Sequence, residues 1–177
     1  MDLITRRLTL RELRPSDYEA LCEIESDPEV MRYERPALTG METRDRLEYA
    51  LKDAQADPRT RFRFAVTVRP DDRLQGWVSC RLNIPEVREY EIGWTIKRAL
   101  WGQGYATEGA HEVMRFGFYI LNAHRFVAFC HAGNRASRRV MEKLHMQYEG
   151  RLREVRRIND MWEDEFVYGI LEREFLK

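Results

Sequence analysis

The run Ile92-Gly93-Trp94-Thr95-Ile96-Lys97-Arg98-Ala99-Leu100-Trp101-Gly102-Gln103-Gly104-Tyr105-Ala106-Thr107-Glu108 constrains this chain more than any other. Tyr90, Ile92, Trp94 and Ile96 alternate as a strand does, two glycines follow, and a helical pattern opens near Tyr105 and runs to Leu121. A further strand is expected over Arg125 to Cys130. Strand, glycine turn, helix and strand make a β-α-β unit with room for one parallel crossover. Ligands favour the carboxyl ends of parallel strands and the N-termini of helices, so the chemistry is expected here.

The flanking segments read as hairpins and short helices. Leu8 to Leu13 is a first strand, and Pro15-Ser16-Asp17 starts a helix with Ser16 or Asp17 as N-cap and Leu21 and Ile24 on its apolar side. Glu29 to Gly40 reads as a loop, and Glu42 to Ala56 as a second helix with Leu47 and Leu51 on one face. After Asp57-Pro58 the period drops to two, with Phe62, Phe64, Val66 and Val68 facing one side of a strand. The turn cluster Arg69-Pro70-Asp71-Asp72 implies that Leu74 to Leu82 returns antiparallel. Beyond the β-α-β unit come a helix over Asn134 to Leu144 and two alternating runs, Tyr148 to Ile158 and Trp162 to Glu172, joined at the hairpin signal Asn159-Asp160. The order βααβββαβαββ is an α+β fold with a mixed central sheet. No low-complexity tract, repeat or long linker divides it, so residues 1–177 are expected to form one domain.

Composition removes several function classes. A chain of 177 residues that is 44% hydrophobic buries a core without disulfide or metal staples. Lys+Arg and Asp+Glu are 30 each, so the basic excess of a phosphate-held nucleic-acid binder is missing. Mean hydropathy is −0.62, and no apolar run approaches the ~20 residues of a membrane span. Met1 to Arg7 lacks a secretory apolar segment, and the expected setting is the cytoplasm. Cys22, Cys80 and Cys130 are odd in number and far apart, which reads as small core residues. His111-Glu112 begins like a zinc-protease helix, but the second ligand falls at Arg115, and no metal is expected.

Gly102 and Gly104 let the backbone approach a ligand closely and adopt positive φ, and free N–H groups at a helix start bind anions. An ordinary tight turn is the plain alternative. Two anionic ligands compete for the site. Gly102-x-Gly104-x-x-Thr107 narrowly misses the dinucleotide fingerprint, whose acid about 20 residues on is absent from Leu121-Asn122-Ala123-His124-Arg125. The other ligand is the pyrophosphate of coenzyme A.

Here the sequence resembles the GCN5-related N-acetyltransferases, in particular their ribosomal-protein N-terminal acetyltransferase branch. Trp101 to Glu108 is similar to the acetyl-CoA loop of that branch, and Asn134-Arg135-Ala136-Ser137-Arg138-Arg139-Val140-Met141-Glu142-Lys143-Leu144 to its second signature. Tyr148 to Arg153 fits the following strand, and Thr5 to Asp17 the opening strand and turn, so the resemblance spans nearly the whole chain. His145-Met146 stands where the family has Gly-Phe, at a helix end where that glycine takes the left-handed cap.

The resemblance implies an acetyl-CoA-dependent N-acetyltransferase acting on a primary amine, either a protein N-terminus or a small-molecule amine, by direct transfer. Trp101, Gly102, Gln103, Gly104, Tyr105, Ala106 and Thr107 would hold the pyrophosphate. Trp94, Thr95 and Ile96 would pair with the pantetheine arm and aim an N–H at the thioester oxygen, and Asn134 would bind the arm as well. Ser137, one turn on, would protonate the departing thiolate, and Arg138, Arg139 or Lys143 would reach the adenosine 3′-phosphate, a charged outer helix face being the plain alternative for each. Glu91, with Glu89 second, is the candidate base on the outer strand face, and Glu108 reads as structural. Val30 to Pro36 is expected to edge the acceptor cleft. Homodimers are common in the branch. The rival reading is a non-catalytic acyl-CoA-binding sensor on the same fold.

Overall fold

The computed structural model describes residues 1–175, so the last two residues of the expected 1–177 domain lie outside the described residues. Its strands are β1 (Leu3–Ile4), β2 (Leu8–Glu12), β3 (Arg61–Val68), β4 (Leu74–Ile84), β5 (Glu89–Ile96), β6 (Arg125–His131), β7 (Gln147–Ile158) and β8 (Met161–Leu171). Its helices are α1 (Tyr18–Glu25), α2 (Pro28–Met31), α3 (Gly40–Asp53), α4 (Tyr105–Tyr119), α5 (Arg135–Lys143) and α6 (Glu172–Phe175). The strands form one sheet in the order β1-β2-β3-β4-β5-β6-β8-β7. Every neighbouring pair is antiparallel except β5 and β6, the strands that α4 connects. This is the mixed sheet expected of the α+β order, with one parallel crossover.

Period-two alternation sends Phe62, Phe64, Val66, Val78, Cys80 and Ile92 to one face. They pack there against Val113, Met114 and Phe116 of α4 and Met141 of α5. The opposite face carries a smaller core in which Leu21 and Ile24 of α1 and Leu47 of α3 meet Ala65 and Trp77. The two helical layers thus enclose the sheet, and α4 and α5 lie on the opposite face from α1 and α3.

The structure corrects several boundaries. Neither Ser16 nor Asp17 caps α1 with its side chain. The Asp17 carboxylate accepts instead from the Arg14 N–H at 2.8 Å and makes a two-pronged pair with Arg11, both contacts 2.8 Å. The segment expected as a loop holds α2, capped by Asp27 and opened by Pro28. The second helix starts at Gly40 because Thr39 and Glu42 form a reciprocal capping box. It ends at Asp53 rather than Ala56.

Candidate active site

The parallel pairing of β5 and β6 lasts only through Glu89↔Arg125, Tyr90↔Phe126 and Glu91↔Val127. Beyond it, Ile92–Ile96 stays bonded to β4 on its other edge, and Ala128–His131 to β8. The facing edges separate, leaving main-chain donors and acceptors in the middle of a sheet without a strand partner. Such groups are normally paired, so this opening suits an extended, amide-bearing ligand. Trp94 and Thr95 stand on its β5 wall, half-buried. Ile96 is differently occupied: its side chain is buried, and its carbonyl accepts the Trp101 indole N–H at 2.7 Å. It anchors the next turn and leaves the wall to Trp94 and Thr95.

That turn places Gly102 at φ 76 and Gly104 at φ 82, both left-handed. Gly104 is the N-cap of α4. From Gly102 through Thr107, six consecutive backbone N–H groups donate to no acceptor among the described residues, the first helical bond being Glu108 N–H to Gly104 O at 3.0 Å. A row of free donors on a helix dipole is an anion cradle. Gly104 and Thr107 line a cleft of about 430 Å³ with His111 and Lys143.

Arg7, unmarked by any local pattern, secures this turn. Its guanidinium donates to the Gln103 carbonyl at 2.9 Å and stacks 4.5 Å over the Tyr105 ring. Glu108 accepts from the Thr5 hydroxyl (2.6 Å), the Arg7 N–H (2.9 Å) and Arg7 Nε (2.6 Å). Burial alone would raise the Glu108 carboxyl, but these bonds outweigh it and hold it below the ordinary value. Glu108 therefore fastens α4 to the N-terminal strands, and although it lines the cleft beside Gly104, its charge is matched by Arg7.

At the end of β6, Asn134 caps α5, its Oδ1 accepting from the Ser137 N–H at 3.0 Å. Its amide NH₂ makes no hydrogen bond among the described residues and remains a donor. Ser137 lies one turn into α5, half-buried. Arg138 leans along its own helix, with Nε 3.5 Å from Glu142, while Lys143 is the α5 cation that lines the cleft beside Gly104. Of the three α5 cations that the resemblance offers, Arg138, Arg139 and Lys143, only Lys143 lines that cleft.

On the α1/α3 face the two candidate bases part company. Glu89 is buried and fully engaged, accepting from Asn83 at 2.6 Å and pairing with Arg125 at 2.9 Å. Glu91 is half-buried and paired on one oxygen with Arg81 at 2.6 Å. The loop after α2 does approach this mouth: Tyr33 stacks on His131, ring centres 5.0 Å apart. His131 was not singled out in the sequence. Its Nδ1 accepts from the Gly133 N–H at 2.9 Å and its Nε2 meets Glu163 at 3.0 Å, so both ring nitrogens are committed. Burial pushes the Cys130 thiol up to about 11 and the Cys80 thiol to about 12, which leaves neither as a thiolate nucleophile near neutral pH. Among the described residues no group of His, Cys, Asp or Glu is placed to hold a metal. No helix there is long and apolar enough to cross a membrane.

A mixed sheet opened at its parallel pair beside an anion-binding helix start is the architecture of an acetyltransferase. Residues 7–147 match the model of the acetyltransferase (GNAT) domain, and the chain belongs to that family. It is 33% identical over 175 residues to the uncharacterized N-acetyltransferase YnaD of Bacillus subtilis, covering 99% of both chains. The crystal structure of a GNAT-family acetyltransferase from Bacillus anthracis is 32% identical with a TM-score of 0.87, covering 98% of this chain and 100% of that one. RimL, a ribosomal L7/L12 alpha-N-protein acetyltransferase solved in complex with coenzyme A, shares the fold at TM-score 0.85 and 19% identity, over 97% of this chain and 98% of its own.

Proposed function

We propose that this acetyltransferase moves the acetyl group of acetyl-CoA directly to a primary amine, with a protein N-terminal α-amine as the preferred acceptor class. The observation that carries the reading is the run of six unpaired N–H groups from Gly102 to Thr107 beside the opened β5/β6 pair. The cradle suits a pyrophosphate, and the opening suits the amide-bearing pantetheine arm. Trp94 and Thr95 would wall that arm, an N–H there would meet the thioester oxygen, and Asn134 would add its free NH₂. One oxyanion donor of this kind typically contributes about 3 kcal/mol to the transition state.

The amine lone pair attacks the thioester carbon, the C–S bond breaks, and the ammonium proton passes to Glu91 directly or through water. Ser137 gives its proton to the leaving thiolate and regains one from solvent. An α-amino group has pKa ~7.7–8.0 against ~10.4 for lysine, so an N-terminal acceptor asks little of a base already paired with Arg81. The high thiol values of Cys80 and Cys130 support direct transfer over an acyl-cysteine route.

The test is thiol release from acetyl-CoA over a panel of peptide N-termini, polyamines and aminoglycosides, with acetyl-CoA binding followed by calorimetry. Transfer to N-terminal peptides is expected. Tight binding of acetyl-CoA with no turnover on any amine would favour the sensor reading instead.

A further inference from the structure

A second cleft, of about 340 Å³, lies between α3 and the sheet on the side facing away from the glycine turn. Arg46 of α3, Arg61 and Arg63 of β3, and Arg81 of β4 contribute four guanidinium groups to its lining, against Asp45 and Asp53 from α3. Two of these cations are already matched, Arg46 to Glu25 at 3.3 Å and Arg81 to Glu91 at 2.6 Å.

Arg63 is different. It is half-buried on the sheet face, stacked 4.8 Å from the Trp77 ring. Among the described residues it has neither an ion pair nor a hydrogen bond, and what surface it keeps opens into the cleft. Burial first, and Arg46 second, push its guanidinium down to about 10, with Glu25 and Asp53 offsetting part of that from a distance, so it is charged near neutral pH. Half-buried and without a direct partner, it keeps its five donors open to the cleft, and they suit a carboxylate or phosphate.

The register ties this cleft to the opening. Arg63 pairs across to Ser79, and Ser79 to Gly93, two residues beyond the last β5/β6 pairing. At strand spacing, Arg63 stands roughly 10 Å from Gly93. Gly93 carries no side chain, and a Cβ there would make only ordinary contacts, with Ser79 Oγ at 3.8 Å and the Trp77 ring at 3.9 Å, so between Arg63 and Gly93 the sheet carries nothing larger than Ser79.

We infer that this cleft binds the anionic end of the acceptor, an amine bearing a carboxylate or phosphate roughly 10 Å from its nitrogen. The assignment rests on the acetyl-transfer reading above. The carboxylate of a free α-amino acid lies too near its own nitrogen to bridge the two points. A long ω-amino acid, or a peptide N-terminus with an acidic residue close behind it, spans them.

Calorimetry on the CoA-bound protein tests this without turnover, using 4-aminobutyrate, 6-aminohexanoate and 8-aminooctanoate against 1,8-diaminooctane and 8-amino-1-octanol. The expected result is affinity rising with chain length and at least tenfold tighter binding of 8-aminooctanoate than of the alcohol or diamine. R63M should abolish that preference, and R63K should restore part of it. Tetrapeptides with Glu or Gln in second and third position separate a peptide source from a small amine. Equal binding of acid and alcohol, or a preference unchanged in R63M, overturns the assignment. If R63M melts below the assay temperature, R61Q on the exposed rim replaces it, with a smaller loss of the same sign expected. Thiol release on the same preparation separates the two readings: anion-selective binding without transfer to any amine would remove acetyl transfer and keep the cleft. Transfer with no anion preference would do the reverse.

Discussion

His145 holds a left-handed backbone, φ 60, immediately after α5. Its N–H donates to Glu142 O at 3.0 Å and that of Met146 to Met141 O at 3.0 Å, the double bond of a Schellman ending. Met146 is buried, completing the apolar half of the motif. Glycine adopts this conformation freely, so H145G should stabilise the protein by up to about 1 kcal/mol. That corresponds to a rise in Tm of about 2–4 °C in a chain of this size, read in a thermal melt; a fall would give the imidazole another role. The position was legible because the helix pattern stops at Leu144 and the family resemblance puts its capping glycine next. On its spacing from Asn134 alone Ser137 reads as a solvated helix serine; the family resemblance singles it out, and its role is tested by S137A. If it protonates the thiolate, kcat should fall by about 10²–10⁴-fold with acetyl-CoA Kd nearly unchanged. A raised KM with intact kcat would make it a binding residue. Arg7 was not legible: its partner Gln103 is 96 residues away, and no local period records such a contact. His131 escaped for the same reason, its partner lying on β8 and its stacking partner on the loop after α2.

The glycine turn and α4 work as one element, and two predictions belong to it. Gly104 is at φ 82, with the nearest atom to an added Cβ, on Arg7, at 3.5 Å, so space is available and conformation is the obstacle. G104V should therefore fold and lose most acetyl-CoA affinity, because a β-branched residue re-aims the donors; calorimetry showing unchanged affinity would remove the turn from the site. The second concerns acid. Glu108 titrates below its ordinary value in the folded protein, so its stabilising contribution is complete above the unfolded value of about 4.3 and is lost as pH falls through the folded one. The gap in Tm between wild type and E108Q should be widest near neutral pH and close toward pH 3, and a constant gap would show that the charge is immaterial. Elements of this length were readable from period and turn chemistry, down to Asn159 and Asp160 at φ 49 and 63 in the β7/β8 turn. The two residues of β1 and the four of α2 are too short to carry a period. The register shift between Leu152 and Arg156, with Glu154 at φ 52, is decided by pairing across strands and leaves no mark along one.

At the scale of the whole molecule, one buried cation holds the N-terminal third to the sheet. Arg11 projects from β2 with a side chain 4% exposed. It joins Asp17, at the start of α1, and Asp72, in the turn between β3 and β4. Its guanidinium is raised above its ordinary value, chiefly by the bond to Asp17, so the charge persists at every accessible pH. The two acids are not equivalent. Asp17 is 5% exposed and grips two guanidinium nitrogens, whereas Asp72 is 60% exposed and shared with Arg14. D17N keeps the shape and an acceptor for the Arg14 N–H but removes the charge, stranding Arg11 beside a water-exposed partner. Removing one member of a buried pair typically costs 3–5 kcal/mol, which at about 2–4 °C per kcal/mol predicts a Tm lower by about 6–20 °C. D72N should change Tm far less, because solvent already screens that contact. Acetyl-CoA affinity, measured below the transition, should survive in D17N, since the glycine turn is held by Arg7 and Glu108. A loss of affinity in the folded variant would show that the α1 layer and the turn are mechanically joined through β2, and a Tm change below 2 °C would mean that Asp72 alone suffices for Arg11.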